Sequence, residues 1–167
     1  MSVTIYVLRH GVAEIGEGKP DEERLLTLEG QQNLQAAARG LRTMGVRWQS
    51  IFASPLKRTQ QTAEIMRQGV SPELTVTTLP CLAPGHDPAD MVQALQNIAD
   101  VKTALLVGHL PDVVGLVSYL LWGQVTAGFG FHPGTMGRVD FLGVLRPGAG
   151  TLRWLLTSEQ TQAFGRL

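Results

Sequence analysis

Apolar residues along this chain follow two periods: short β-branched or aromatic runs alternate with stretches where Leu, Ala and Val recur every three or four positions. The first run, Val3 to Leu8, holds no Gly or Pro and reads as a buried strand. Residues 11–26 read as a loop rich in charge, with Gly16, Gly18 and Pro20. Thr27 is placed to cap a helix to about Met44, with Leu34, Ala37, Ala38 and Leu41 facing the core and Gly45 as its stop. Ser50 to Ala53 is a second strand. Ser54, with Pro55 in the first turn, is expected to cap a helix to about Gln68. Leu74 to Leu79 reads as a third strand, and Asp87-Pro88 starts a helix to about Ile98. Thr103 to Val107 is a strongly apolar fourth strand ending at Gly108-His109, followed by a helix over Asp112 to Trp122. Beyond a Gly-rich loop at 123–134, two strands near Thr135 to Leu142 and Thr151 to Thr157 flank a turn at Pro147-Gly148 as an antiparallel pair. Strands alternating with helices predict an α/β fold with a largely parallel sheet.

Bulk composition narrows the class. A length of 167 residues suits one domain over 1–167 with its own core. Apolar residues make up 44% and charged residues 17%, which is a globular balance. Fourteen basic residues offset fourteen acidic ones, so the basic excess of a nucleic-acid binder is missing. One cysteine, Cys81, excludes an internal disulfide and any multi-cysteine metal site. No secretory signal is visible, and no apolar run reaches the about 18 residues that a membrane span needs. Val113 to Trp122 is broken by Gly115, Ser118 and Tyr119 and reads as a core helix. A soluble, cytoplasmic protein with no membrane or nucleic-acid partner is expected.

In an open α/β sheet, ligands bind beyond the carboxyl ends of the strands. Three such ends carry unusual chemistry here. The first strand ends in Arg9-His10-Gly11. The second runs into Ser54-Pro55-Leu56-Lys57-Arg58, which puts Arg58 in the first turn of a helix. The fourth ends in Val107-Gly108-His109-Leu110-Pro111. Two arginines, two imidazoles and a helix N-terminus meet at one rim with no carboxylates from these segments to hold a metal. Such a donor set suits an anion, and a tetrahedral phosphate best, because guanidinium forks bind it bidentately. One neutral imidazole can attack phosphorus, and the other, charged once the anion is bound, can neutralise its oxygens. Taken singly, each residue has a blander account. Arg9 could be a sheet-edge charge, Arg58 a partner of Glu64, and His109 a core-edge histidine; His86 and His132 read as loop residues.

Arg9-His10-Gly11, Ser54-Pro55-Leu56-x-Arg58-x-x-Gln61-Thr62-Ala63 and Val107-Gly108-His109-x-Pro111 together resemble the histidine phosphatase superfamily, the phosphoglycerate-mutase-like fold. Order and spacing match from Val3 to the final strands. The short length is similar to the SixA-type phosphohistidine phosphatases, as are Leu26-Thr27-Leu28-Glu29-Gly30 and Pro133-Gly134-Thr135. The resemblance implies a three-layer α/β/α sandwich in its minimal form, without the large helical insertion, and no cofactor. It also implies that His10 is the phosphorylated nucleophile and that Arg9, Arg58, His109 and Gly11 complete the phosphate pocket.

The chain departs from the family at one point. Mutases and broad phosphomonoesterases of the superfamily carry a Glu or Asp after the third strand as general acid. Here that segment is Leu79-Pro80-Cys81-Leu82-Ala83-Pro84-Gly85-His86-Asp87, with Cys81 about where the acid is expected. A thiol is a mediocre proton donor, and core packing is the simpler account of Cys81. Asp87 is a candidate acid, though its place before Pro88 suits helix capping; Glu14 and Asp21 are carboxylates of the first loop within reach of the rim. An alkoxide leaving group needs a proton, whereas an imidazole leaving group can take one from solvent. The expectation is therefore a phosphohistidine phosphatase acting on a phosphorylated protein, such as a histidine phosphotransfer domain in signal transduction. Alternatives are a phosphomonoesterase for a small phosphorylated metabolite and, less favoured, a non-catalytic phosphate-binding protein.

Overall fold

The computed structural model of the protein describes residues 2–126 and 128–166. Six strands, β1 (Ser2–Arg9), β2 (Ser50–Ala53), β3 (Val76–Thr78), β4 (Thr103–Gly108), β5 (Met136–Leu142) and β6 (Thr151–Leu156), form one sheet in the order β3-β2-β4-β1-β5-β6. The pairs β1–β4, β2–β4 and β2–β3 are parallel, while β5 runs antiparallel to both β1 and β6. The helices are α1 (Leu28–Thr43), α2 (Lys57–Val70), α3 (Pro88–Gln96), α4 (Asp112–Trp122) and α5 (Ser158–Phe164). None is long and apolar enough to cross a membrane among the described residues.

Alternation along the central strands builds the layers. Ile5 and Val7 of β1, with Ala104 and Leu106 of β4, pack into one cluster with Met91, Leu95, Val113 and Leu116 of α3 and α4. Tyr6 and Leu8, with Leu105 and Val107, face the other way onto Leu34 and Leu41 of α1 and Met66 and Val70 of α2. Both faces of these strands are thus covered, which is why they read as continuous apolar runs and not as alternating ones.

Several expected boundaries shift. Ser54 does not cap α2, which starts at Lys57. Leu56, extended at φ −70° and ψ 143°, is the N-cap residue and makes no side-chain cap bond. The Ser54 hydroxyl is committed to the site below instead. The third strand is shorter than Leu74–Leu79, because only Val76–Thr78 pair with the four-residue β2, and Leu74 closes a turn onto Ser71. Asp87 caps α3 as expected, accepting from Ala89 N at 2.8 Å. The sequence reading leaves out α5 entirely. Thr157 and Gln160 start it with a reciprocal capping box, and it lies so close to α1 that a Cβ on Gly40 would run into the Thr161 carbonyl.

Candidate active site

Register delivers the two histidines to the same place. Arg9 pairs with Gly108 across the parallel β1–β4 ladder, so His10 and His109 leave adjacent strands side by side. Their ring centroids stand 5.3 Å apart. Here the chain also parts, since α1 covers one face of the sheet and α4 the other. Such a switch point leaves a crevice at the carboxyl ends of the strands. On the far side of β4, Ala53 pairs with Val107, which brings Ser54 beside His109 and Arg58 into the first turn of α2. His10, Arg58 and His109 are buried, at 8%, 4% and 3% exposure.

The hydrogen bonds fix both imidazoles in one tautomer. His10 Nδ1 lies 2.8 Å from the Gly11 carbonyl, which can only accept, so Nδ1 carries the proton. His10 Nε2 is then free to accept from Arg58 Nε at 3.3 Å. His109 Nδ1 faces Arg58 Nη2 at 3.2 Å and must also accept, leaving its Nε2–H to donate to Ser54 Oγ at 2.8 Å. Both rings are held neutral. Burial pushes His10 down to about 4, helped by the Arg58 and Arg9 charges and opposed by the bond to Gly11. Burial, then His10 and Arg58, push His109 down to about 3. The carbon-bound ring protons of His10 and His109 are therefore expected to keep constant NMR shifts from pH 8 to pH 5.5 in the free protein. An inflection of either near 6.5, the ordinary value for histidine, would contradict the neutral pair.

Arg9 joins from the opposite side. Its Nη1 donates to the Phe131 carbonyl at 2.8 Å, so the loop at 123–134 borders the site through Phe131. Arg9 Nε is buried and has no protein partner among the described residues. A buried donor without an acceptor costs on the order of 1–3 kcal/mol. Gly11 packs so tightly that a Cβ would sit 2.6 Å from Leu34 Cδ1. Its N–H donates to Thr62 Oγ1 at 3.2 Å, and Thr62 Oγ1 in turn donates to the Arg58 carbonyl at 2.7 Å. Gly11 and Thr62 thereby tie the end of β1 to the start of α2.

The carboxylates fall differently from one another. Glu14 accepts from Lys19 at 2.7 Å and from Leu25 N at 3.0 Å, lacing the first loop together. Asp87 is engaged at the α3 cap. Cys81, in a 3-10 turn over Pro80–Leu82, packs partly buried against the α3–α4 cluster, and burial pushes its thiol upward. The carboxylate bonded to the cluster is that of Asp21, which accepts from Arg58 Nη2 at 2.9 Å. His86 and His132 are exposed. Sequence reasoning left Asp21 as one reachable carboxylate among several and gave no site role to Ser54 or Thr62.

Comparisons with known proteins agree with this fold. The model of the family described as the histidine phosphatase superfamily (branch 1) matches residues 5–83. An uncharacterized protein of Picosynechococcus sp. (strain ATCC 27264 / PCC 7002 / PR-6) is 31% identical over 124 residues, covering 72% of this chain and 74% of that protein. The phosphohistidine phosphatase SixA of Escherichia coli (strain K12) is 26% identical over 155 residues, 92% of each chain. Among solved structures, the protein histidine phosphatase SixA complexed with tungstate superposes with a TM-score of 0.81 at 26% identity, over 93% of this chain and 97% of that one. A phosphoglycerate mutase from Bacillus anthracis str. Sterne shares the fold at a TM-score of 0.68 and 12% identity, over 99% of this chain and 97% of that one. Two arginines and two neutral histidines at the switch point, on an architecture shared with SixA along nearly its whole length, lead to one assignment: the chain belongs to the histidine phosphatase superfamily and is a phosphatase.

Proposed function

We propose that the chain removes phosphate from phosphohistidine on a protein, through a covalent phospho-His10 intermediate. His10 Nε2 bears the lone pair and attacks phosphorus; the phosphorus–nitrogen bond of the substrate breaks, and its electron pair leaves on the substrate imidazole, which takes a proton from solvent. Water then attacks the phosphoenzyme, releasing orthophosphate and regenerating His10. Arg9, Arg58 and His109 neutralise the transferring oxygens, with His109 gaining a proton once the dianion is close.

One observation carries the choice of leaving group. The carboxyl bonded to the cluster, Asp21, is held below the usual carboxylate range, chiefly by its hydrogen bond to Arg58, and so is an anion with no proton to give. Cys81 is turned to packing, and Asp87 is spent on its cap. An alcohol leaving group would go without a general acid, a loss typically of about 10²–10⁴-fold, whereas an imidazole leaving group tolerates it. Similarity to SixA supports the same substrate class. The short link from β3 to α3, residues 79–87 with a single 3-10 turn, leaves no helical insertion over the rim and suits a protein side chain.

Assay of the purified protein on a phosphohistidine-bearing phosphotransfer domain and on sugar phosphates, side by side, tests this. Expected is a kcat/KM at least about 100-fold higher on the phosphohistidine protein. Equal or faster turnover of the sugar phosphates would move the substrate to small phosphomonoesters.

A further inference from the structure

Asp21 lies on the 3-10 turn Asp21–Glu23 of the first loop, and it touches Arg58 twice. Arg58 Nη1 donates to the Asp21 carbonyl at 2.7 Å and Arg58 Nη2 donates to Asp21 Oδ2 at 2.9 Å. The other side of the guanidinium faces inward, with Nε on His10 Nε2 and Nη2 on His109 Nδ1. Four of the five guanidinium N–H groups are thus divided between two edges, one on Asp21 and one on the imidazoles. Asp21 is itself held: its Oδ1 accepts from Arg24 Nη1 at 2.8 Å, and Arg24 Nε donates to the Glu14 carbonyl at 2.7 Å. The loop is pinned to α2 a second time where Gln61 Oε1 accepts from Leu26 N at 2.8 Å.

We propose that Asp21 is a positioning residue for phosphoryl recognition: it clamps the outer edge of Arg58 so that the inner edge, Nε with Nη2, is presented bidentately to the substrate's phosphoryl group between the two imidazoles. A guanidinium on a long side chain has several rotamers, and only one aims that edge at the point His10 attacks. Two acceptors on the outer edge, both from one residue of a laced loop, select it before substrate arrives. The inner edge rests on imidazole lone pairs, which are weaker acceptors than a phosphate oxygen, so the exchange on binding favours the phosphate. Asp21 is half-exposed, at 54% for its side chain, so solvent screens its negative charge from the incoming dianion. The inference rests on the phosphate-pocket reading, though not on which phosphorylated group is cleaved.

Orthophosphate binding to the full-length protein, measured by calorimetry at pH 7, separates positioning from repulsion by sign. Asp21→Ala, which removes the side-chain acceptor, is expected to weaken orthophosphate binding roughly ten-fold or more, with an unchanged thermal midpoint. Asp21→Asn keeps an oxygen acceptor for Nη2 and is expected to recover part of that loss. Binding by Asp21→Ala that is equal to or tighter than that of the unmodified protein would overturn the proposal and make Asp21 a competitor of the phosphate. Failure of the unmodified protein to bind orthophosphate, or native-like binding by Arg58→Ala, would overturn the pocket reading itself. The phosphohistidine reading is decided separately by the side-by-side assay.

Discussion

Replacing His10 by alanine is expected to lower kcat/KM on a phosphohistidine-bearing protein by roughly 10⁴-fold or more. Without the imidazole the proposed covalent step loses its nucleophile, and His109, which donates through Nε2 to Ser54, is left to neutralise the phosphoryl oxygens. Attack by water on a phosphorylated substrate would then have to proceed in one step against like charge. The substitution leaves the core intact, because the apolar run of β1 ends at Leu8 and His10 packs above it, against His109 and Arg58. Removing a group that titrates well below its ordinary value also relieves a cost to folding below pH 6.5, so the variant is expected to melt no lower than the parent there. The sign follows from the depressed value: the unfolded chain binds the proton more readily between about 4 and 6.5, and stability conferred by a neutral His10 declines as pH falls through that window. Orthophosphate release, with a thermal melt as control, measures both. Activity within ten-fold of the parent would remove His10 from the covalent step.

Arg58→Ala carries the second-largest expected loss, about 10³–10⁵-fold in kcat/KM. This guanidinium is the hub of the site, bonded to the attacking nitrogen, to His109 and to Asp21. Arg58→Lys restores the charge but not the planar pair of donors, since an ammonium is a point charge that cannot span two phosphate oxygens. It is expected to regain no more than about ten-fold of the loss. If lysine restored nearly full activity, charge alone would suffice, and the clamped edge described above would have no role. A fall of less than ten-fold for alanine would mean that Arg58 does not meet the transferring phosphoryl group.

How much of this could be read from residues alone varies with the kind of signal. The strand ends were legible because each pairs an apolar run with an abrupt change of chemistry: Leu8 to Arg9-His10, and Val107-Gly108 to His109. The fold class followed from the same alternation, and the helix Asp112–Trp122 needed no adjustment. Asp21 was harder to place, since Asp21-Glu22-Glu23 in an aperiodic loop looks like any solvated acidic run, and its bond to Arg58 spans 37 positions. Ser54 was read as a cap because serine before proline usually is one; tertiary context gave its hydroxyl to His109 instead. The helix α5 escaped notice because seven residues carry too little periodicity, and its stability comes from docking on Gly40 and from the Thr157–Gln160 capping box.

The chemistry at His10 is most directly tested by trapping the phosphoenzyme. The full-length protein is mixed with a phosphohistidine-bearing domain labelled with ³²P, quenched within milliseconds, and divided between acid and alkali. The account predicts a labelled phosphatase whose label is lost in acid, survives in alkali and maps to the peptide containing His10, and which is absent from His10→Ala. An adduct that survives acid, or that persists in His10→Ala, would contradict it and place the phosphoryl group on another nucleophile.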